Sequence, residues 1–352
     1  MSVYQLTGDT LYLEKAESVA RVLKYAFGSE KHQAENHGIP LARLNLRQGF
    51  GINFEWDNFC SILAEFGTLS LEWATLAAET NNLSYLKYVT NLTDHLMQMG
   101  SPEDGVWKHS YRSDNLKSCT KEASFGGRAD SFYEYMVKFY LLTGRNDNRQ
   151  LKWVHQTTTA LKESKTSIIL QQNNPHMPVM MVEHDRNGQI VKKMSHLACF
   201  AGGFWALTSE LFDKDDNLEI AKGVTQSCRS SYVKSATQIG PEYFDNFGYS
   251  DGIFGQFNLP HEYHLRPETI ESYFYLYRFT KDQKYRQWAW EFVEALEKNC
   301  RVEFGYAGLV NVNHQSATIG PTTNYGVQNS YFLAETLKYD TCLLKFDALL
   351  IF

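Results

Sequence analysis

Glu271-Ser-Tyr-Phe-Tyr-Leu-Tyr-Arg-Phe-Thr-Lys-Asp-Gln-Lys-Tyr-Arg-Gln-Trp288 reads as two helices of different kinds with a turn between them. Up to Phe279 the stretch is apolar almost all round, the mark of a buried helix. From Tyr285 the apolar positions run Tyr285, Trp288, Ala289, Phe292, Val293 and Leu296, the spacing of a half-exposed amphipathic helix. Thr280-Lys-Asp-Gln punctuates the two. The phrase recurs about every seventy residues, at Thr7-Gly-Asp, Thr80-Asn-Asn, Thr143-Gly-Arg-Asn and Asp213-Lys-Asp-Asp-Asn. Tyr12, Ala16, Val19, Ala20, Leu23 and Phe27 repeat the amphipathic helix, and Ser131-Phe-Tyr-Glu-Tyr-Met-Val-Lys-Phe-Tyr-Leu-Leu142 repeats the buried one. Alternating buried and half-exposed helices predict a double-layered ring of helical hairpins. Val179–Glu183 and Gly305–Val312 read as β-hairpin decorations on it. A tetratricopeptide scaffold has half this period, but its linkers are short, whereas some 30 residues (Gln98 to Phe125) separate helices here.

Composition bounds what such a ring does. Hydrophobic residues make up 43% and charged residues 21%, enough for a large core and too ordered a balance for disorder. A net charge of −6 gives no electrostatic reason to bind nucleic acid. The longest uncharged apolar stretch, Leu197 to Thr208, falls short of the roughly 18 residues of a membrane span. Six cysteines without a Cys-x-x-Cys pair argue against both a disulfide scaffold and a zinc site. Two sequons, Asn82-Leu-Ser and Asn91-Leu-Thr, are compatible with a secretory route.

Glu65, Asp130, His196, Glu268 and Glu335 stand at or near the starts of the buried helices, in phase with the repeat. In a closed ring they would converge on one axial pocket, and buried carboxylates are costly unless paired, hydrogen-bonded or metal-linked. Each also has a plainer reading. Ser131-Phe-Tyr-Glu134 is a capping box, which makes Glu134 a helix cap. Asp130 and Glu268 equally suit a helix N-terminus, the latter beside Pro267, and a single histidine such as His196 is commonly a satisfied core residue. Asp213-Lys-Asp-Asp216 reads as a solvated turn. Carboxylates in a pocket walled by Tyr and Phe suit sugar, and two carboxyls are the minimum for cleaving a glycosidic bond.

Four blocks resemble a known family: Gly126-Gly-Arg-Ala-Asp-Ser-Phe-Tyr-Glu-Tyr135, His196-Leu-Ala-Cys-Phe200, Leu265-Arg-Pro-Glu-Thr-Ile-Glu-Ser272 and Ser330-Tyr-Phe-Leu-Ala-Glu-Thr-Leu-Lys-Tyr339. In this order they resemble the class I α-1,2-mannosidases, glycoside hydrolase family 47, and the similarity runs from Leu6 to about Tyr339. The resemblance implies an all-α fold, an (α/α)7 barrel with small β-hairpin insertions. It implies calcium-dependent, inverting removal of terminal α-1,2-linked mannose from high-mannose N-glycans. By motif, Glu268 matches the base that activates water and Asp130 a carboxylate assisting on the acid side. Glu65, Arg128, His196, Arg266, Tyr331 and Glu335 match substrate-binding positions, Tyr331 replacing the family's usual Phe. Cys199 and Cys228 match the family's disulfide, which favours an oxidising lumen; the other four cysteines are expected to stay reduced. Asn82 and Asn91 are the expected glycosylation sites.

Subtype signals conflict. Ser61-Ile-Leu-Ala-Glu-Phe-Gly-Thr68, Cys199-Phe-Ala-Gly-Gly203 and Trp288-Ala-Trp-Glu291 resemble the Golgi branch, while Arg128 resembles the endoplasmic-reticulum branch, where an arginine here restricts which mannose is removed. The degradation-linked branch generally lacks the cysteine pair. The resemblance places the protein in the Golgi or endoplasmic-reticulum lumen, with a type II membrane anchor upstream in the full-length form. Two family features are not found: the Phe-Glu-Thr-Thr-Ile-Arg-like motif of the general-acid candidate, and the C-terminal threonine that binds calcium. Thr341 lacks the flanking residues of that threonine. The expectation is one catalytic domain over residues 1–352, incomplete at both ends, with a divergent tail at 340–352. Hydrolysis is the expectation for the full-length form; for these 352 residues alone the competing expectation is an inactive, non-catalytic fragment, a splice form or gene-model truncation, that at most binds mannose.

Overall fold

The computed structural model describes residues 1–28, 38–164, 168–170, 179–245, 261–314 and 327–344. They form two compact units. The first joins Met1–Ser124, Arg128–Ser164 and His184–Gln189; the second joins Phe125–Gly127, Lys165–Glu183 and Ile190–Phe352. The first unit carries helices α1 (Ser2–Thr7), α2 (Thr10–Leu23), α3 (Leu63–Phe66), α4 (Ser70–Glu79), α5 (Ser84–Met99), α6 (Asp130–Leu142) and α7 (Asn148–Glu163). The second carries α8 (Ala201–Thr208), α9 (Lys214–Lys234), α10 (Glu268–Thr280), α11 (Lys284–Asn299) and α12 (Leu337–Leu344). All five turns of the repeat fall between consecutive helices. Among the described residues no helix is long and apolar enough to cross a membrane.

The repeated turn has a local cause. Its threonine closes the preceding helix by donating to the carbonyl four residues back: Thr7 to Val3 at 2.7 Å, Thr80 to Leu76 at 2.6 Å, Thr143 to Phe139 at 2.9 Å and Thr280 to Leu276 at 2.6 Å. The Asp or Asn that follows opens the next helix by accepting from the amide two residues on. Asp9 takes Leu11 N–H, Asn82 takes Ser84 N–H, Asp147 takes Arg149 N–H and Asp282 takes Lys284 N–H, all at 2.9–3.1 Å. One phrase thus satisfies an orphan carbonyl on one side and an orphan amide on the other. The fifth copy departs: Asp213 has no threonine before it and adopts a left-handed backbone, φ 46°. Asp213 to Asp216 are exposed, as a solvated turn should be.

Buried helices pack through aromatics. In the first unit Phe27, Trp73 and Tyr88 interlock at centroid separations of 4.9–5.4 Å, and Trp107, Phe132 and Trp153 at 5.1–5.9 Å. In the second, α8 is buried at seven of its eight residues, against α9 and α10. A Cβ on Gly202 would sit 2.2 Å from Thr225 Oγ1 and 2.6 Å from Ser272 Oγ. That approach is why Ala-Gly-Gly-Phe-Trp holds no larger residue there. Gly202→Ala is expected to destabilise the protein by about 1–3 kcal/mol through overpacking, read as a lowered Tm.

Three sequence expectations are corrected. Cys60 and Cys119 do not stay reduced but form a disulfide in the first unit, closing a separation of 59 residues, in addition to Cys199–Cys228 in the second. The capping box does not form. Helix α6 already begins at Asp130, so Ser131 lies inside it and bonds Thr68 Oγ1 at 2.9 Å, while Glu134 pairs with Lys138 one turn on. Of Gly305–Val312, only Gly305–Tyr306 is a strand, paired with Arg301–Val302; Leu309 bridges to Tyr263 instead. Two strand pairs join distant segments rather than hairpins: Ser61–Ile62 with Ser110–Tyr111, and Lys193–Ser195 with Tyr243–Asp245.

Candidate active site

The second unit assembles a buried acid–base cluster. The strand Lys193–Ser195 carries the chain into His196, whose amide extends the ladder by donating to the Glu242 carbonyl at 2.8 Å. A 3₁₀ turn, Leu197–Phe200, then turns the chain into α8. The His196 ring is fully buried and both its nitrogens are engaged: Nδ1 lies 2.9 Å from Glu268 Oε2 and Nε2 lies 2.6 Å from the Tyr232 hydroxyl. Burial pulls the imidazole pKa down to about 3; nearby Glu242 opposes this and Arg266 adds to it. The ring is therefore neutral across the physiological range. His196 is a satisfied core histidine, and its packing aims the ring at Glu268.

Glu268 is the first residue of α10, directly after Pro267, where the helix dipole and open amides favour an anion. Two residues earlier Arg266 donates from Nε to both oxygens of Glu242, at 2.8 and 2.7 Å. Between the strand segment and this helix, fully buried Leu265 takes a left-handed φ of 62°. Such strain in a bulky residue persists only where surroundings hold it, and here Thr336 Oγ1 donates to the Leu265 carbonyl at 2.8 Å. Thr336 belongs to a π-helical turn, Phe332–Thr336, on which Glu335 is exposed. Tyr331, just ahead of that turn, donates its hydroxyl to the His264 carbonyl at 2.6 Å and accepts from Asn329 at 3.0 Å. The hydroxyl that distinguishes Tyr331 from a phenylalanine is thus spent on backbone. Tyr331→Phe is expected to leave turnover within about twofold while costing about 1 kcal/mol of stability; kinetics beside a melting curve check it.

The first unit places the other expected residues. Asp130 opens α6 and accepts from the Ser131 amide at 2.8 Å. Arg128, two residues before, is again left-handed, φ 74°, and its carbonyl accepts from the Ala64 amide at 2.9 Å. Its guanidinium lies 2.6 Å from Asp57 Oδ1, 3.4 Å from Glu122 and over the Trp56 ring at 5.3 Å. Among the described residues Nε has no aligned hydrogen-bond acceptor, while Nη2 stays in the Asp57 ion pair. Glu65, on α3, has its pKa raised by burial and by Asp57, with Arg128 acting against both. The first unit thus brings Glu65 into the field of Arg128, and the second brings His196, Glu268 and Arg266 together.

Glu242, Tyr232, Asp57, Glu122 and Trp56 were not found from the sequence. They lie off the helix starts, so the repeat does not mark them. Glu242 meets His196 across 46 residues through strand pairing, and Tyr232 sits at the far end of its helix. The described residues do not compose a calcium site. Thr341 is exposed on α12, and among the described residues no group of three or more His, Cys, Asp or Glu could hold a metal ion, whereas calcium takes about six to eight oxygens.

Residues 1–347 match the model of glycosyl hydrolase family 47. The chain belongs to that family. It is 38% identical to the mannosyl-oligosaccharide alpha-1,2-mannosidase IA of Drosophila melanogaster, covering 99% of this chain and 50% of that protein. It is 36% identical to the human mannosyl-oligosaccharide 1,2-alpha-mannosidase IB, covering 99% and 52%. The chain spans about half the length of the curated relatives it matches. Among solved structures, the α-1,2-mannosidase from Trichoderma reesei superposes with a TM-score of 0.78 at 25% identity, over 96% of this chain and 69% of the other. The fold class is therefore the expected one, all-α and of the (α/α)7 barrel type, with only small strands.

Proposed function

We propose that the protein hydrolyses terminal α-1,2-linked mannose from high-mannose N-glycans, with inversion, and serves N-glycan trimming in the secretory pathway. The observation that carries this reading is Glu268, a carboxylate at a helix N-terminus that lies 2.9 Å from Nδ1 of a buried, neutral histidine. Glu268 takes a proton from water as that water adds to the anomeric carbon. On the acid side the bond between the anomeric carbon and the glycosidic oxygen breaks as that oxygen takes a proton from a water that Asp130 holds, and the proton gained by Glu268 returns to solvent to balance it. Attack from the face opposite the leaving group inverts the centre. Glu65, His196, Arg266, Tyr331 and Glu335 bind the sugar. Arg128, held beside Asp57 and Glu122, selects among glycan branches.

Family membership carries an expectation of calcium, yet the described residues do not fit a calcium cage. Of the two sequons, Asn91 is exposed on α5, whereas the Asn82 side-chain oxygen caps that helix; Asn91 is the better acceptor. The Golgi or endoplasmic-reticulum lumen suits both the substrate and the disulfides.

The test is incubation with a Man₉ N-glycan, with calcium and then with chelator, following released mannose by proton NMR. First appearance of β-mannose is the expected result. Release of α-mannose would overturn inversion, and binding without release at any calcium level would replace hydrolysis by mannose binding.

A further inference from the structure

The geometry points to Tyr232 as a positioning residue for the Glu268 carboxylate, acting through His196. This deepens the proposed function and rests on Glu268 being the base.

A neutral imidazole carries one N–H and one lone pair. His196 has two partners, a carboxylate at Nδ1 and a phenol at Nε2, and its burial at 0% exposure leaves no water to substitute for either. A carboxylate only accepts, so the single N–H must lie on Nδ1, and Nε2 must then accept the phenolic proton. Tyr232, 2% exposed, is what makes this tautomer the better one. Thr269 Oγ1 also approaches Nε2, but at 3.4 Å. Without the phenol the imidazole loses its strong partner on that side, and the tautomer with the proton on Nε2, donating to Thr269, becomes available. Glu268 would then face a lone pair instead of a donor.

The disulfide of the second unit belongs to the same device. Cys199 lies three residues after His196, and Cys228 lies one helical turn before Tyr232 on α9. The bridge therefore clamps together the two segments that carry the hydroxyl and the ring. The phenyl edge of Tyr232 packs against Phe292, with centroids 5.7 Å apart, so the ring is held independently of its hydroxyl. Tyr232→Phe removes one oxygen and keeps that packing.

Other charges face this chain of groups. Arg266 and Glu242 lie beside His196 and Glu268, Tyr263 and Tyr331 lie within the field of Glu268, and Asp340 on α12 lies within that of Tyr232. All remain in the variant, so a change in pH dependence reports the lost hydroxyl.

Two measurements test the inference. Two-bond ¹H–¹⁵N correlation on histidine-labelled protein, with His196 assigned by its loss in His196→Gln, reads the tautomer directly. The expected result is the Nδ1–H form in the wild type, and a mixed or Nε2–H form in a folded Tyr232→Phe protein. Kinetics on an α-1,2-linked mannose substrate are expected to show kcat reduced about 10–100-fold with KM within about twofold. The acid limb of the kcat/KM profile should move to higher pH, because a carboxylate deprived of a donor holds its proton more tightly. A purely structural role would lower Tm without moving that limb. An Nε2–H tautomer in the wild type, or an unchanged tautomer and acid limb in the variant, would overturn the inference. If neither protein releases mannose, the hydrolytic reading fails, while the tautomer measurement still decides the hydrogen-bond assignment.

Discussion

Glu268→Gln is expected to lower kcat for mannose release by about 10²–10⁴-fold while leaving KM within about twofold. The amide cannot take a proton from water. It can still accept the His196 Nδ1–H through its carbonyl oxygen, so the 2.9 Å contact that holds the side chain survives. The loss should therefore fall on the chemical step rather than on the fold, and the melting temperature should stay close to that of the parent. A paired comparison of steady-state rates and thermal unfolding separates the two. Retention of more than a tenth of the parent's kcat would remove Glu268 from the role of base.

The second large effect has the opposite sign. Asp340 on α12 is 4% exposed, and among the described residues neither carboxyl oxygen has a hydrogen-bond partner. Burial pushes this carboxyl well above the usual carboxylate range. The folded state therefore keeps a proton that the unfolded chain releases near pH 4. Between the unfolded and folded pKa values the native state binds more protons, so stability falls as pH rises, by about 1.4 kcal/mol per unit. Below that window the carboxyl is neutral in both states and only the cost of its missing hydrogen bonds remains, about 1–3 kcal/mol. Asp340→Leu is expected to remove both penalties, raising Tm modestly at pH 4 and more at pH 7. Denaturant unfolding of both proteins across this range measures it; a parallel pair of stability curves would show that Asp340 has a partner.

What the sequence revealed, and what it hid, follows from the range of the interactions. The turns at Thr80 and Thr280 were legible because threonine and the following Asp or Asn act on atoms within four residues. The helix starts at Glu268 and Asp130 were legible because a helix start is a fixed point of the repeat. The Ser131-x-x-Glu134 box misled because it has the right residues one position too late: the helix had already begun. Cys60–Cys119 went unseen because a bond spanning 59 residues leaves no periodic trace. Glu242 and Tyr232 were missed for the same reason, since each reaches His196 through a pairing that only the folded chain creates. The burial that pushes the Cys300 thiol up to about 12 was likewise invisible, because its position after α11 reads as a helix end.

Each unit holds its own bridge, Cys60–Cys119 in one and Cys199–Cys228 in the other. For laboratory production this sets the choice of host. A reducing bacterial cytosol would deliver six thiols to a chain that needs four of them paired, and a native disulfide is worth about 2–5 kcal/mol. The preparation can be graded before any substrate is tried. Correctly oxidised protein, denatured without reductant, should give two thiols to a colorimetric titration, those of Cys300 and Cys342. A count nearer six would explain poor yield or missing activity without reference to the active site.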